Sequence, residues 1–452
     1  MLSRVGCSVL VVASTAFPAF AQSPPVSIPA KAYGPAWTGF YLGGAFGAGG
    51  IVNNLSSAPG GVPVTTSGAG GSGVLGSIYG GVDYQLLPRA VVGVLAEGTL
   101  SSISGTNSAS VPGASASVTS QPNWSWAVMA RAGFLANSST LLYLVGGYTG
   151  QNLQTSGTAT AGGAFASFTR NDTFNGWTFG PGFETALARN WATKLEYRYS
   201  QYGAQTINGI TMTPSTHAIR AGLTYKFGGF GGDTPSYDGP TFNQPPFNWT
   251  GIYGGVAGGG GMATGPVTAS AGPATATFDG AGQGLLGGII AGADYQFARQ
   301  GLVGVMGDFT WSGIQSTTTI SPPGAVATAT VSPNRSWSVM GRLGWLPIPS
   351  TLLYGAVGYT GMNVLATGQA VAGGLSAFAQ GETTVNGWTV APGIETVITG
   401  GWTTRLEYRY SQYEQKQITA GVTAQPSTHA IRLGLAYKFG IGADNKSLAA
   451  GD

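Results

Sequence analysis

Strict alternation of side chains, a large internal duplication, and connections that are tight and long by turns together predict an all-β chain. The architecture they imply is a transmembrane antiparallel up-and-down β-barrel, present as two tandem eight-stranded barrels, with one sixteen-stranded barrel as the alternative. The alternation is clearest in Leu195–Tyr202 and Pro214–Phe227, and in their counterparts Leu406–Tyr413 and Pro426–Phe439. Lys194, Glu196, Arg198 and Ser200 fall on one side of the first stretch, and Leu195, Tyr197 and Tyr199 on the other. A period of two means strand rather than helix.

Composition narrows the solvent. Only 8% of the 452 residues are charged, while 77 are Gly and 11% are aromatic. Soluble domains carry about 25% charged residues. A helical membrane protein would show apolar runs of about 20 residues, and none follows the N-terminal segment. Low charge without long apolar runs suits strands that present every second residue to lipid.

Taken in order, residues 1–21 read as a signal peptide. Arg4 precedes an apolar stretch from Val5 to Phe20, and Ala19-Phe20-Ala21 supplies a small-x-small cleavage site. A buried first strand is the competing reading, and Pro18 opposes it. Cys7, the one cysteine, lies in this segment, so the exported chain relies on no disulfide. Without Arg4 the 19 Lys and Arg fall to 18 against 16 Asp and Glu, which predicts no nucleic-acid partner.

Residues 22–36 form a Pro-rich periplasmic lead-in. The first repeat spans 37–227 and the second 249–439, offset by 211 to 212 residues, as Ser139 to Ser350 and Trp37 to Trp249. Between them, 228–248 contains five Gly and four Pro and reads as a linker; 440–452 is a C-terminal tail.

Repeat one holds eight strand-length stretches near 37–48, 73–86, 90–101, 124–136, 140–151, 174–187, 191–202 and 216–227. Tight turns at Leu87-Pro88-Arg89, Asn137-Ser138-Ser139 and Ala188-Arg189-Asn190 alternate with long connections rich in Gly, Ala, Ser and Thr. The long ones fall near 49–72, 102–123, 152–173 and 203–215, and are expected as external loops.

Charges sit singly on one parity: Glu97, Arg131, Glu184, Glu196, Arg198 and Arg220, and in repeat two Asp308, Arg342, Glu395, Glu407, Arg409 and Arg432. Large apolar groups take the other parity, as Trp126, Val128 and Phe134 do around Arg131. A charge in lipid costs about 2–4 kcal/mol at the midplane, so these groups are expected to face the lumen as an ion-pair network. Three acids against three guanidiniums per repeat would be a neutral plug in a narrow bore. Trp37, Phe40, Tyr225 and Phe227 are expected at the periplasmic rim, and Trp124, Trp177, Tyr199 and Tyr202 at the outer rim.

Three phrases carry a family resemblance: Trp37-Thr-Gly-Phe-Tyr-Leu-Gly-Gly, Leu195-Glu-Tyr-Arg-Tyr, and the closing His217-Ala-Ile-Arg-Ala-Gly-Leu-Thr-Tyr-Lys-Phe. They resemble the small outer-membrane barrel proteins of alphaproteobacteria, eight-stranded relatives of the OmpA membrane domain and opacity-type porin family. The resemblance covers both repeats and implies an abundant surface protein of the cell outer membrane that maintains the envelope or contacts a host. It also implies that Tyr225 and Phe227, or Tyr437 and Phe439, form the barrel-closing signal read by the barrel assembly machinery. In the family that signal usually ends the chain; here Phe227 is internal and Phe439 is followed by Gly440–Asp452. Family members normally carry one barrel, so the tandem copy is a departure.

Chemistry is sparse. Glu184 and Glu196 could be read as a paired-carboxylate centre, but no nucleophile or base accompanies them, and an ion-pair role is expected instead. His217 and His429 are repeat equivalents placed near the outer rim, where one histidine per barrel is too few for a metal. The runs Gly254-Gly255 and Gly258–Gly261 open no helix and precede no Lys-Ser/Thr, so they are not phosphate cradles. No catalysis and no cofactor are expected. The expected function is a structural outer-membrane protein with outer-membrane lipid and the barrel assembly machinery as partners. A sixteen-stranded diffusion porin, or an adhesin acting through the long loops on a host or neighbouring-cell surface, are the alternatives.

Overall fold

The computed structural model describes residues 37–227 and 247–440, apart from Pro59, Gly60, Arg189, Asn208 and Ala420. The signal peptide with Cys7, the lead-in, nearly all of the linker and the tail from 441 onward lie outside the described residues.

Every described element is a strand. Copy one contributes β1 (Gly39–Ser57), β2 (Val64–Leu87), β3 (Ala90–Ser101), β4 (Gly105–Val111), β5 (Ala114–Asn137), β6 (Thr140–Ala161), β7 (Ala164–Ala186), β8 (Trp191–Tyr202), β9 (Gln205–Ile207) and β10 (Ile210–Lys226). Copy two follows with β11 (Gly251–Ala271), β12 (Ala274–Ala298), β13 (Gly301–Ser312), β14 (Ser316–Ile320), β15 (Ala325–Ile348) and β16 (Thr351–Ala372). It ends with β17 (Leu375–Thr399), β18 (Trp402–Tyr413), β19 (Lys416–Thr419), β20 (Val422–Ala424) and β21 (Ser427–Gly440).

Strand pairing decides between two rings and one. β10 runs antiparallel to β1, with Tyr41 opposite Lys226 and Phe46 opposite Ala221. β21 does the same to β11, with Ile252 opposite Phe439. Each copy therefore closes on itself through eight long strands, and β4, β9, β14, β19 and β20 are short pieces outside the rings. A ring this small is filled by its own side chains. Tyr41, Tyr79, Met129 and Tyr143 fill copy one, and Tyr253, Ile290, Met306 and Met340 fill copy two.

The two faces separate as two solvents demand. Trp126 and Phe179 stand 37% and 46% exposed on the outside, while Arg131 and Arg220 are 4% and 6% exposed inside. Two aromatic positions differ from the girdle expected of them. Trp37 is buried beside Tyr41, donating through Nε1 to the Ser138 carbonyl at 3.2 Å. Tyr202 packs inward against Leu153 and Phe174. Both sit on the inward parity, and position near a strand end did not override it.

The long connections are not loops. β5, β6 and β7 run for 24, 22 and 23 residues, about twice the ~9–11 that cross a bilayer. The excess rises beyond the membrane as tall hairpins. One closes at Gly162 and Gly163, with φ of 56° and 86°, the double positive φ that a type I′ turn needs. Cross-strand hydroxyl pairs hold them, such as Ser115 with Thr160 at 2.8 Å and Ser117 with Thr158 at 3.0 Å.

The two rings also meet each other, and they do so through equivalent residues. Phe183, Leu195 and Ile219 of copy one pack against Ile394, Leu406 and Ile431, their own counterparts. Above the membrane the outer part of β2 pairs with β14, and reciprocally β12 pairs with β4. Ala69 bridges to Gly280, its equivalent, at the outer end. Self-matching contacts of this kind define a pseudo-two-fold axis, as in an isologous dimer.

Candidate functional site

The lumen gathers all twelve charged residues expected there. In copy one Arg131 on β5 donates to Glu184 on β7, lies 3.4 Å from Asp83 on β2, and stacks 4.0 Å over the Tyr143 ring. Arg198 donates to Glu196, and to Glu97 at 2.8 Å; Arg220 reaches Glu97 at 3.1 Å. Tyr143 donates its hydroxyl to Glu196 at 2.9 Å. Apart from Arg198–Glu196, two residues apart on β8, these contacts join strands that are not neighbours in the sheet, so they brace the ring across its bore.

Copy two repeats the pattern with one compensated change. Arg342 donates to Glu395 at 2.5 Å, Tyr354 to Glu407 at 2.9 Å, and Arg409 to Asp308 and Glu407 at 2.5 and 2.7 Å. Arg432 lies 2.9 Å from Asp308. Asp308 replaces the longer Glu97, and Ser338, in place of Ala127, donates to it. The lost methylene is filled by a hydroxyl.

The network extends beyond the twelve residues expected from parity. Asp83 and Asp294, Lys194 and Arg405, and Lys226 and Lys438 belong to it. Lys194 and Lys226 share the inward parity of Glu196 and Arg220, which was the available signal; Asp83 sits between Val82 and Tyr84 near a strand end and stood out less. Each copy thus holds four carboxylates and five cations, and the expected neutral set of three and three is corrected. Arg405 carries the difference in copy two. None of its guanidinium nitrogens has a hydrogen-bond partner, and the group lies 5.0 Å from the Tyr253 ring.

Glu184 and Glu196 do not form a shared-proton pair. Each is committed to a different cation, Glu184 to Arg131 and Glu196 to Arg198 and Lys194. The glycine run of β11 lines the wall: a Cβ on Gly259 would overlap the Ile431 carbonyl of β21.

The histidines stand at the contact between the two copies. Tyr197 donates to His217 Nδ1 at 2.7 Å, and Nε2 then donates to Gln283 of copy two at 2.8 Å. Tyr408 holds His429 in the same way, but His429 Nε2 has no partner. Ser72 occupies the position equivalent to Gln283 and is too short. Among the described residues no group of three or more His, Cys, Asp or Glu is placed to hold a metal ion.

Tyr225 and Phe227 face outward with ring centroids 5.3 Å apart, and Tyr437 and Phe439 match them at 4.9 Å.

A family described as "Outer membrane protein beta-barrel domain" matches residues 7–227 and again 248–439. A 31 kDa outer-membrane immunogenic protein of Brucella melitensis is 29% identical over 221 residues, covering 45% of this chain and 89% of its own. A 22 kDa outer membrane protein of Rhizobium leguminosarum is 31% identical over 162 residues, covering 34% of this chain and 67% of its own. Among solved structures, Neisserial surface protein A aligns with 42% of this chain and 98% of its own, at 17% identity and a TM-score of 0.23.

Proposed function

The chain belongs, in both of its repeats, to the outer membrane protein β-barrel domain family and resides in the outer membrane, and from this we infer a structural envelope protein that neither conducts nor catalyses. One observation carries the reading: the bore of each ring is crossed by buried ion pairs, with Arg131–Glu184 and Arg342–Glu395 at equivalent places. A pore needs that space for water. A buried pair is also costly to open, since removing one partner leaves a bare charge in a dry bore. The surrounding lipid and the barrel assembly machinery are the partners this role requires, with Tyr225, Phe227, Tyr437 and Phe439 as the closing signal.

Refolded protein in a planar bilayer tests the proposal. The expected record has no steps of general-porin size; large, regular steps would overturn it in favour of a diffusion porin.

A second reading, surface contact, has its own support. The tall hairpins end in exposed apolar side chains, Phe165 and Phe168 on one, Leu375 and Phe378 on the other. Exposed apolar tips on a rigid scaffold are suited to contact with another surface. Replacing all four by Ser should abolish adhesion of expressing cells while the barrel remains folded. Unchanged adhesion would remove this reading.

A further inference from the structure

The two copies fill the outer part of the bore with side chains of different size. At the outer end of copy one, Ile51, Leu153 and Phe174 pack with Leu75, Ile103 and Tyr202 in a buried cluster, and Met212 packs against it. The equivalent positions in copy two are Ala263, Val364, Val385 and Ala424. All four are smaller. What they leave is a cavity of about 580 Å³ inside the tall extension of the second ring, lined by these residues with Val267, Phe278, Ile314 and Val331. Its volume falls within the ~300–1,000 Å³ range of sites for small molecules.

We propose that this cup binds a small, neutral, largely hydrocarbon molecule arriving from outside the cell. The walls are mostly apolar, and the floor is apolar too. Met362 stands where copy one has Gln151, packed with Val364, Val385 and Tyr413. A charged ligand has no counter-ion here. Glu382 is the one charged lining residue, and Arg335 already holds it at 2.8 Å. Gln315, Gln380 and Thr383 on the wall can serve a single polar end. The ion-pair network lies below the floor, so the cup is a site and not the entrance to a channel.

The duplication supplies the control. A filled variant carries the copy-one residues in copy two: Ala263→Ile, Val364→Leu, Val385→Phe and Ala424→Met. An opened variant makes the reverse exchange in copy one: Ile51→Ala, Leu153→Val, Phe174→Val and Met212→Ala. The full chain in nanodiscs is titrated with N-phenyl-1-naphthylamine, a neutral fluorescent probe. The wild type should show a saturable component near one probe per chain above the linear partitioning into lipid. The methyl signals of Val364 and Val385 should move with the same midpoint. Filling the cup should weaken this component by about tenfold or more, and opening copy one should raise the stoichiometry towards two. No saturable component in the wild type, or unchanged affinity in a folded filled variant, overturns the proposal. If the filled variant does not fold, the opened variant decides: a stoichiometry that stays at one overturns it.

Discussion

Thr140 and Thr351 occupy the same position in the two copies, and their hydroxyls hydrogen-bond to each other at 3.0 Å. Thr185 and Thr396, also equivalents, extend the chain on either side at 3.2 and 2.9 Å. A residue can touch its own counterpart only on a two-fold axis. The tandem chain is thus a dimer of its own halves, joined by one linker.

That axis is open to a covalent test. Thr140→Cys with Thr351→Cys, in a Cys7→Ser background, brings two β-carbons near the ~3.5–4.5 Å that a disulfide spans. A protease site placed in the linker then releases the halves. On oxidation they should stay joined on a denaturing gel and part when reduced. Halves that separate under both conditions would refute the axis.

The lumen cations should not be equivalent. Arg342→Met strands Glu395 and should lower stability by about 3–5 kcal/mol. Arg405→Met removes a guanidinium that makes no hydrogen bond, so it should be neutral or stabilising. Urea unfolding followed by tryptophan fluorescence compares them. A loss at Arg405 as large as that at Arg342 would contradict the assignment of roles.

His429 provides a gain-of-stability test. Its Nε2 is buried without an acceptor, while a polar cavity of about 220 Å³ lies beside Ser72, bordered by Tyr410 and Ser427. Ser72→Gln should restore the contact that Gln283 makes with His217 and raise stability by about 1 kcal/mol. Gln283→Ala should lower it by a similar amount. A Ser72→Gln protein less stable than wild type would count against the pseudo-symmetry at this level.

Outward-facing leucines should divide by what covers them. Leu406 is fully buried against copy one, whereas Leu433, on the neighbouring strand, is 49% exposed. Leu406→Ala leaves a hole between rings and should cost about 2–5 kcal/mol. At Leu433 an acyl chain can refill the space, and the loss should be roughly half that or less. Equal losses would mean that the rings do not pack as described.

What the alternation conveys is parity, and parity was enough to place Arg131, Glu184 and Arg220 inside and Trp126 and Phe179 outside. It does not say what lies outside. Phe183 and Leu195 read like any lipid-facing pair, yet the second copy covers them. The tall hairpins were illegible for a related reason. Above the membrane both faces of β6 and β7 meet water, so nothing imposes alternation, and Ser, Thr, Ala and Gly look like loop. Trp37 failed differently: an amphipathic ring near a strand end suits an interface, but its Nε1 found the Ser138 carbonyl and its body found the bore. The cup was invisible until the copies could be overlaid in space, because Phe174 and Val385 are both ordinary apolar residues taken singly.

The reciprocal strands above the membrane bear on the order of assembly. Val64 to Ser67 of β2 have β14 as their partner, some 250 positions further along. Until the latter half is inserted, the former stands with a row of amides and carbonyls facing nothing. That interval is when a neighbouring polypeptide could supply the missing strand instead, giving intertwined chains. A short tether keeps the proper partner at high local concentration, so lengthening it should increase the yield of such exchanged species.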